Sequence, residues 1–198
     1  LLFVRLLHLL TRSYFGAHDV GSIDYRRTFK GLRAIALDDS NGVDRSTHSL
    51  STLFSDINAV GGPRSVPSDM PIITSPEAYL KGFVGLSGIV SANDYGNRAP
   101  IASGEVASIA GHPIIMTDAM TADLNASGVF DGVTTTKSAY CILNRNMFRR
   151  VLRAGATISL QNDITVAGTY MRARQRVGFQ DMTKAADKSV RYAFNLDT

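Results

Sequence analysis

The residues of this chain that could bind a metal ion or act as nucleophiles are few and far apart. The four histidines are His8, His18, His48 and His112. None has a second ligand at helical or turn spacing, and the chain has a single cysteine, so the pattern disfavours a zinc site. Gly85-Leu86-Ser87-Gly88 misses the Gly-x-Ser-x-Gly elbow by one position. A Ser-His-Asp triad stays open, because its members come from distant positions.

One loop is similar to the first half of a calcium-binding loop. From Asp123 to Gly128, oxygen-bearing side chains alternate and glycine is sixth. The twelfth position, which should supply a bidentate Glu, is Thr134. An Asx-type turn is the simpler interpretation. With no phosphate-binding glycine motif either, we predict no cofactor, no metal site and no enzyme activity.

The arginines of the last third carry the stronger signal. Residues 1–136 have 10 basic and 13 acidic side chains, whereas residues 137–198 have 11 and 4, a balance of +7. Alternation over a predicted strand from Ile164 to Phe179 places Arg172, Arg174 and Arg176 on one face, where they repel one another unless acids or phosphates face them. A predicted helical turn, Asn144 to Arg153, directs Arg149 and Arg150 outward. We predict that these five arginines contact acidic neighbouring subunits or a nucleic acid; a solvated face is the alternative.

Several other elements must position these residues. A capped apolar stripe predicts a helix from Leu50 to Val60, and Ser75-Pro76-Glu77 predicts a second over Ala78 to Val84. The predicted strands are Met70–Thr74, Glu105–Ala110, Pro113–Thr117, Tyr140–Leu143 and Ser189–Asn195.

Length and composition agree with a globular chain. The 198 residues are 44% hydrophobic, enough for a sizeable core. Cys141 has apolar neighbours and is expected to be a small buried side chain. The apolar segment Leu1 to Leu10 is too short to span a bilayer. We interpret it as the end of a longer helix whose start precedes this sequence, and predict no membrane association.

The order of several segments is similar to the major capsid proteins of tailed phages, of the Hong Kong 97 type. The segments are Phe29-Lys30-Gly31-Leu32, the helix Leu50 to Val60, Pro71 to Pro76, Gly111 to Ile115, Tyr140 to Asn144 and Arg176-Val177-Gly178-Phe179. The resemblance covers nearly all of the chain from about residue 26 onward.

The resemblance implies an α+β capsid fold with an apical and a peripheral domain. Residues 1–45 would be the end of the spine helix and its connection, and residues 46–143 the apical domain. Residues 144–180 would return through the peripheral-domain sheet, and residues 181–198 would form a closing strand. The family's N-terminal arm and hairpin loop have no counterpart in this sequence.

The resemblance also implies a function. Copies of the chain would assemble into hexamers and pentamers of an icosahedral shell around double-stranded DNA, with decoration or portal proteins as further partners. Its location would be the virion capsid, assembled in the host cytoplasm. Two alternatives stay open: an encapsulin-type nanocompartment shell, and a soluble α+β hydrolase or ligand-binding domain.

Overall fold

The computed structural model describes residues 31–62, 66–86, 89–91, 105–118, 120, 123–134, 136–163, 168–182 and 187–197. The apolar segment Leu1 to Leu10, interpreted above as the end of a longer helix, lies outside these ranges. The helices are α1 (Leu32–Asp38) and α2 (Leu50–Asn58), followed by an α-helical turn (Pro76–Ala78) that continues as a π-helix (Tyr79–Phe83). The strands are β1 (Gly42–Asp44), β2 (Ile72–Thr74), β3 (Ile89–Ser91), β4 (Glu105–Ile109), β5 (His112–Met116), β6 (Lys137–Leu143), β7 (Phe148–Asp163), β8 (Gly168–Asp181) and β9 (Val190–Asp197).

Over these ranges, seven strands form one mixed sheet in the order β1-β9-β6-β2-β5-β4-β3. The pairs β1–β9 and β2–β5 are parallel and the other neighbours are antiparallel. Strands β4 and β5 form a hairpin whose two turn residues, Ala110 and Gly111, both have positive φ, as this tight turn requires. The strands predicted from the sequence, Glu105–Ala110 and Pro113–Thr117, place the turn one residue later, at Gly111-His112.

Helices cover both faces of the sheet, which makes three layers with two cores. On one face, Leu32, Ile35 and Ala36 of α1 pack in the cluster that contains Cys141 and Tyr192. On the other face, α2 and the π-helix contribute the buried side chains Leu53, Ile57, Tyr79 and Phe83. A mixed α/β architecture is therefore confirmed.

Strand β6 lies at the centre and is buried on both sides. Ala139, Cys141 and Leu143 belong to one core, whereas Tyr140 and Ile142 belong to the other. Successive side chains of a strand point to opposite faces, so a strand that is covered on both faces has apolar residues at consecutive positions. The predicted strand Tyr140–Leu143 is confirmed and begins earlier, at Lys137.

Helix α2 begins at Leu50, where the sequence predicts, and ends at Asn58, two residues before the predicted end at Val60. The Ser49 hydroxyl accepts a hydrogen bond from the Thr52 backbone N–H, and the Thr52 hydroxyl accepts one from the Ser49 N–H. This reciprocal cap satisfies donors that a helix start leaves free. After the helix, a Cβ on Gly61 would lie 1.7 Å from the carbonyl oxygen of Asp187, so the backbone of this turn approaches the start of β9 very closely.

The predicted helix Ala78–Val84 is present with a different geometry. Ser75 caps it by accepting a hydrogen bond from the Ala78 N–H, and Pro76 occupies its first turn, as predicted. From Tyr79 onward the helix widens into a π-helix, with the Val84 N–H bonded to the Tyr79 carbonyl. Tyr79 and Phe83 of this π-helix are both buried in the core on that face of the sheet.

The predicted helical turn Asn144–Arg153 is wrong beyond its first residues. A 3-10 turn covers only Arg145–Met147, and from Phe148 the chain is a strand that runs to Asp163. Pairing along its whole length with β8 supplies the backbone hydrogen bonds that a helix would otherwise have made. The strand predicted over Ile164–Phe179 is confirmed from Gly168 to its end and extends to Asp181; residues 164–167 lie outside the described ranges.

Candidate interface ribbon

Strands β7 and β8 form a separate two-stranded sheet, here called the ribbon. The rest of the described fold, the seven-stranded sheet with its helices and loops, is here called the body. At the base of the ribbon, Phe148 and Phe179 stack with ring centroids 5.2 Å apart, and both pack against the core of the body. The Met182 N–H donates to the Met147 carbonyl at 2.8 Å. The ribbon is therefore anchored at the end of β6 and the start of β9.

Beyond the base, one face of the ribbon is apolar and exposed. The register pairs Leu160 with Met171, so their side chains share a face with Ile158. These three side chains are 69%, 71% and 67% exposed. Leu152, which is paired with Val177, lies on the same face and is 52% exposed. A two-stranded sheet is only marginally stable by itself in water. Four large exposed apolar side chains on one of its faces therefore indicate a surface that another molecule covers.

All five predicted arginines belong to the ribbon. Arg172, Arg174 and Arg176 are paired with Ser159, Thr157 and Ala154. The side chain of Arg172 is exposed; the side chains of Arg174 and Arg176 lie outside what the structure describes.

The other two arginines lie on β7 and not on a helix. Arg149 is paired with Gln180, which puts it on the face of Arg172, and Arg150 is paired with Phe179 on the apolar face. Both side chains are exposed. The helical prediction had put them on one side, whereas neighbouring strand residues point to opposite sides.

The loop at residues 123–134, here called the acidic loop, has a fixed shape. The Asn125 carboxamide oxygen accepts hydrogen bonds from the N–H groups of Ser127 and Val129. One Asp131 oxygen accepts from the N–H groups of Val133 and Thr134. These two backbone bonds are the main reason that the pKa of Asp131 is lowered. The Asx-turn interpretation is confirmed.

Within the described part of the chain, Asp56 in the second half of α2 is a charged group with several hydrogen-bond partners. Its side chain is fully buried. Arg45 donates to both carboxylate oxygens, at 2.8 and 2.6 Å, and Arg191 donates to Oδ1 at 2.9 Å. The Tyr140 hydroxyl donates to Oδ2 at 2.5 Å. The cluster joins the β1–α2 connection, α2, β6 and β9.

The environment of this cluster favours the ionised form of Asp56. Burial opposes ionisation of Asp56, but the hydrogen bonds from Arg45, Tyr140 and Arg191 outweigh it and hold its pKa below the usual value. Burial, and then the charge of Asp56, raises the pKa of Tyr140 well above its usual value. A carboxylate with four donors and no exposure has no free lone pair for a substrate, so this cluster stabilises the body.

His48 lies beside the cluster. Its ring is 4.9 Å from that of Phe83 and 5.4 Å from that of Tyr140, and neither ring nitrogen has a hydrogen-bond partner. Burial lowers the pKa of its imidazole, the charge of Arg45 adds to this, and Asp56 opposes it.

Sequence reasoning did not identify the cluster. Asp56 lies between Leu53 and Ile57, and a carboxylate on the buried stripe of an amphipathic helix was the one available signal. Its partners are 11, 84 and 135 residues away in sequence, so the pattern alone does not name them.

Two features are absent from the described ranges, a cluster of metal ligands and a membrane-crossing helix. No group of three or more His, Cys, Asp or Glu side chains is placed there to hold a metal ion. None of the helices there is long and apolar enough to cross a membrane. Cys141 is buried among apolar groups, which raises the pKa of its thiol far above the usual value.

No family model matches this sequence, and no curated protein does. Twelve solved chains are similar in shape to this chain, and two of them are compared with it below. A chain of Mycobacterium phage Che8 has a TM-score of 0.44 and 12% identity over 82% of this chain and 56% of that chain, and a score this low carries no argument about the fold.

The second structure is the satellite phage P4 procapsid including size determination (Sid) protein. The TM-score is 0.53, with 8% identity over 99% of this chain and 64% of that chain. The present chain thus spans less than two thirds of the length of either solved chain. At this identity the similarity concerns the fold alone: the chain has a phage capsid-related fold.

Proposed function

We propose that this chain is a structural subunit of a phage shell, a major capsid protein of the Hong Kong 97 type, and not an enzyme. Copies of it assemble into hexamers and pentamers that enclose double-stranded DNA. The assembly takes place in the host cytoplasm, and the final location is the virion capsid. The apical and peripheral domain bounds given above are part of this proposal.

The ribbon is the observation that carries the proposal. It extends from the body with four exposed apolar side chains on one face and exposed basic side chains along both, a surface that needs macromolecular partners. The fold similarity to a procapsid chain, over 99% of the present chain, supports a shell as the assembly in which those partners are found.

The contrast with the body supports a structural role. The charged cluster there, around Asp56, is closed and fully hydrogen bonded, which suits a rigid unit and leaves no reacting atom accessible. The exposed arginines are free to meet carboxylates of a neighbouring copy or phosphates of packaged DNA, which Arg binds in a bidentate way.

Electron microscopy of the natural full-length protein, expressed in a bacterial host, tests the proposal. The expected result is closed icosahedral particles with five-fold and six-fold capsomers. Nuclease-protected genomic DNA inside native particles supports a phage shell, and a docked cargo enzyme supports the encapsulin-type alternative. A monomer that never forms particles, in any salt, contradicts both.

A charge-reversal variant tests the arginines. Arg172, Arg174 and Arg176 are replaced together by Glu, and particle yield is expected to fall at least about tenfold, because like charges would then face acidic neighbours or DNA. The control is Lys81→Glu, which reverses an exposed positive charge on the π-helix of the body. An unchanged yield from the triple variant removes the arginines from the proposal.

A further inference from the structure

We propose that the acidic loop of one copy docks on the apolar face of the ribbon of a second copy, so that copies associate head to tail. The inference rests on the proposed function, because it assigns two surfaces to the contact between subunits. It goes further in naming which surface meets which.

The acidic loop presents apolar side chains to solvent in a fixed frame. Phe130 is 44% exposed and Val133 is 86% exposed. The backbone that holds them is fixed by the Asn125 and Asp131 hydrogen bonds, and the Tyr192 hydroxyl donates to the Gly128 carbonyl at 3.3 Å. An exposed valine on a preorganised loop is suited to binding, since little entropy is lost when a partner covers it.

The charges of the loop and the ribbon are opposite. Residues 123–134 contain two aspartates, Asp123 and Asp131, and no lysine or arginine. Arg150 lies toward the base of the ribbon, on the face that bears Ile158, Leu160 and Met171. Arg149 and Arg172 lie on the opposite face of the ribbon. The ribbon as a whole is net positive, since β7 and β8 contain six arginines and two aspartates, Asp163 and Asp181. Each surface thus combines exposed apolar groups with a net charge, which is negative on the loop and positive on the ribbon. Two surfaces of this kind attract each other, and their apolar groups lose contact with water when the surfaces meet.

The acidic loop and the ribbon lie at opposite ends of the paired strands β6 and β9. The loop is held at one end, where Leu124 bridges to Lys137 and Gly128 lies under Phe194. The ribbon starts at the other end, just after Leu143. The intervening strand β6 is about 20 Å long at ~3.3 Å per residue. A second copy is therefore the natural source of the partner surface.

Head-to-tail docking is favoured over ribbon-to-ribbon pairing. Two ribbons placed face to face would bring together two surfaces that each contain six arginines and two aspartates, and like net charges across a contact are unfavourable. A contact between two different surfaces instead repeats from copy to copy, and it closes into a ring when the rotation permits. This is the type of contact that hexamers and pentamers need.

Cysteine crosslinking in assembled particles tests the inference. The double variant Val133→Cys, Leu160→Cys is treated with a short bis-maleimide; the native Cys141 is buried and stays unreactive. A ladder of crosslinked oligomers is expected. The matched control is Val133→Cys, Val151→Cys, because Val151 is 59% exposed but paired with Gly178 on the other face. It should give at least about tenfold less crosslinked product.

Single-cysteine copies make the test directional. Coexpressed Val133→Cys and Leu160→Cys chains should yield crosslinked dimers and nothing larger, and each alone should yield none. Particles that form without the ladder, a crosslink within one chain, or a crosslink to a different protein each overturn the inference and leave the proposed function standing. Failure of the wild-type protein to assemble in any form overturns both.

A second variant measures how much the loop contributes. Phe130→Ser with Val133→Ser should weaken association at least about tenfold, measured by light scattering against concentration, because buried apolar anchors dominate interface affinity. The control is Leu80→Ser with Val84→Ser, two exposed apolar residues elsewhere on the body, which should leave association unchanged. Equal effects of the two pairs contradict the assignment of the loop.

Discussion

The body and the ribbon of this molecule treat charged and apolar side chains in opposite ways. In the body, apolar groups fill two cores and the central carboxylate of Asp56 has four donors from three side chains. In the ribbon, large apolar groups such as Leu160 and Met171 are about 70% exposed, and Arg149, Arg150 and Arg172 are exposed as well.

The comparison separates what folds the chain from what the chain offers to a partner. Groups satisfied within one copy contribute to the free energy of unfolding, and groups left exposed contribute to association. Substitutions in the body should therefore change stability, whereas substitutions in the ribbon should change assembly with little effect on stability.

The largest expected effect on stability is that of Asp56→Ala. Its removal leaves Arg45 and Arg191 without their counter-ion where both are largely buried, and it removes the acceptor of Tyr140. We expect a loss of about 3 to 5 kcal/mol in the free energy of unfolding, measured by urea denaturation. Arg172→Ala, the ribbon control, should change it by less than about 0.5 kcal/mol. Similar losses from both would remove the distinction between the regions.

Two glycines sharpen the same comparison. Gly61→Ala places a Cβ 1.7 Å from the Asp187 carbonyl oxygen, so the backbone must shift. We expect a loss of about 1 to 3 kcal/mol. A Cβ on Gly155 of the ribbon meets nothing within 4 Å. Gly155→Ala should be neutral or slightly stabilising, because alanine restricts the unfolded chain. A stable Gly61→Ala protein, by chemical denaturation, would contradict the close approach.

The two regions also differ in how far the sequence predicts them. Helix α2 follows from Ser49 and a regular apolar stripe, because local signals specify both its start and its buried face. The start of strand β7 was predicted as a helical turn, because its apolar residues Phe148, Val151 and Leu152 recur at helical spacing. The pairing with β8 that makes this segment a strand is not visible in that local pattern. In strand β8 the arginines alternate, and they were identified correctly as a strand.

The candidate site was predictable to a similar degree. Charge and alternation selected the arginines of the ribbon, but not the apolar face, which depends on the pairing of β7 with β8. The exposure of Phe130 and Val133 depends on how the acidic loop packs under Phe194. Contacts between residues this distant in sequence are set by tertiary structure, which local patterns do not specify.

The third prediction concerns pH and the body. Burial lowers the pKa of His48 below its ordinary 6.5, so the native state holds the neutral ring and the unfolded chain takes up the proton first. This contribution to stability is complete above pH 6.5 and is lost as the pH falls below that value toward the folded pKa. Asp56, whose lowered pKa lies below its ordinary 3.8, titrates at lower pH and does not enter this window.

Two variants separate titration from packing at this position. His48→Phe keeps a ring against Phe83, and His48→Gln does not. Both should show a smaller decrease in melting temperature between pH 7.5 and pH 5 than the wild type, although only His48→Gln should be less stable at every pH. A decrease as large as that of the wild type in both variants would show that another group is responsible.

The smallest expected effect comes from an ion pair at the surface of the body, Lys137 with Asp197. The Asp197 side chain is 78% exposed, so water and salt screen the attraction that the buried cluster retains. Lys137→Met keeps the aliphatic stem and removes the charge, and it should cost less than about 1 kcal/mol in the free energy of unfolding. That small difference should shrink further in high salt, whereas the effect of Asp56→Ala should persist. A loss from Lys137→Met as large as that from Asp56→Ala would show that pairing alone, and not burial, determines what a charge contributes to this fold.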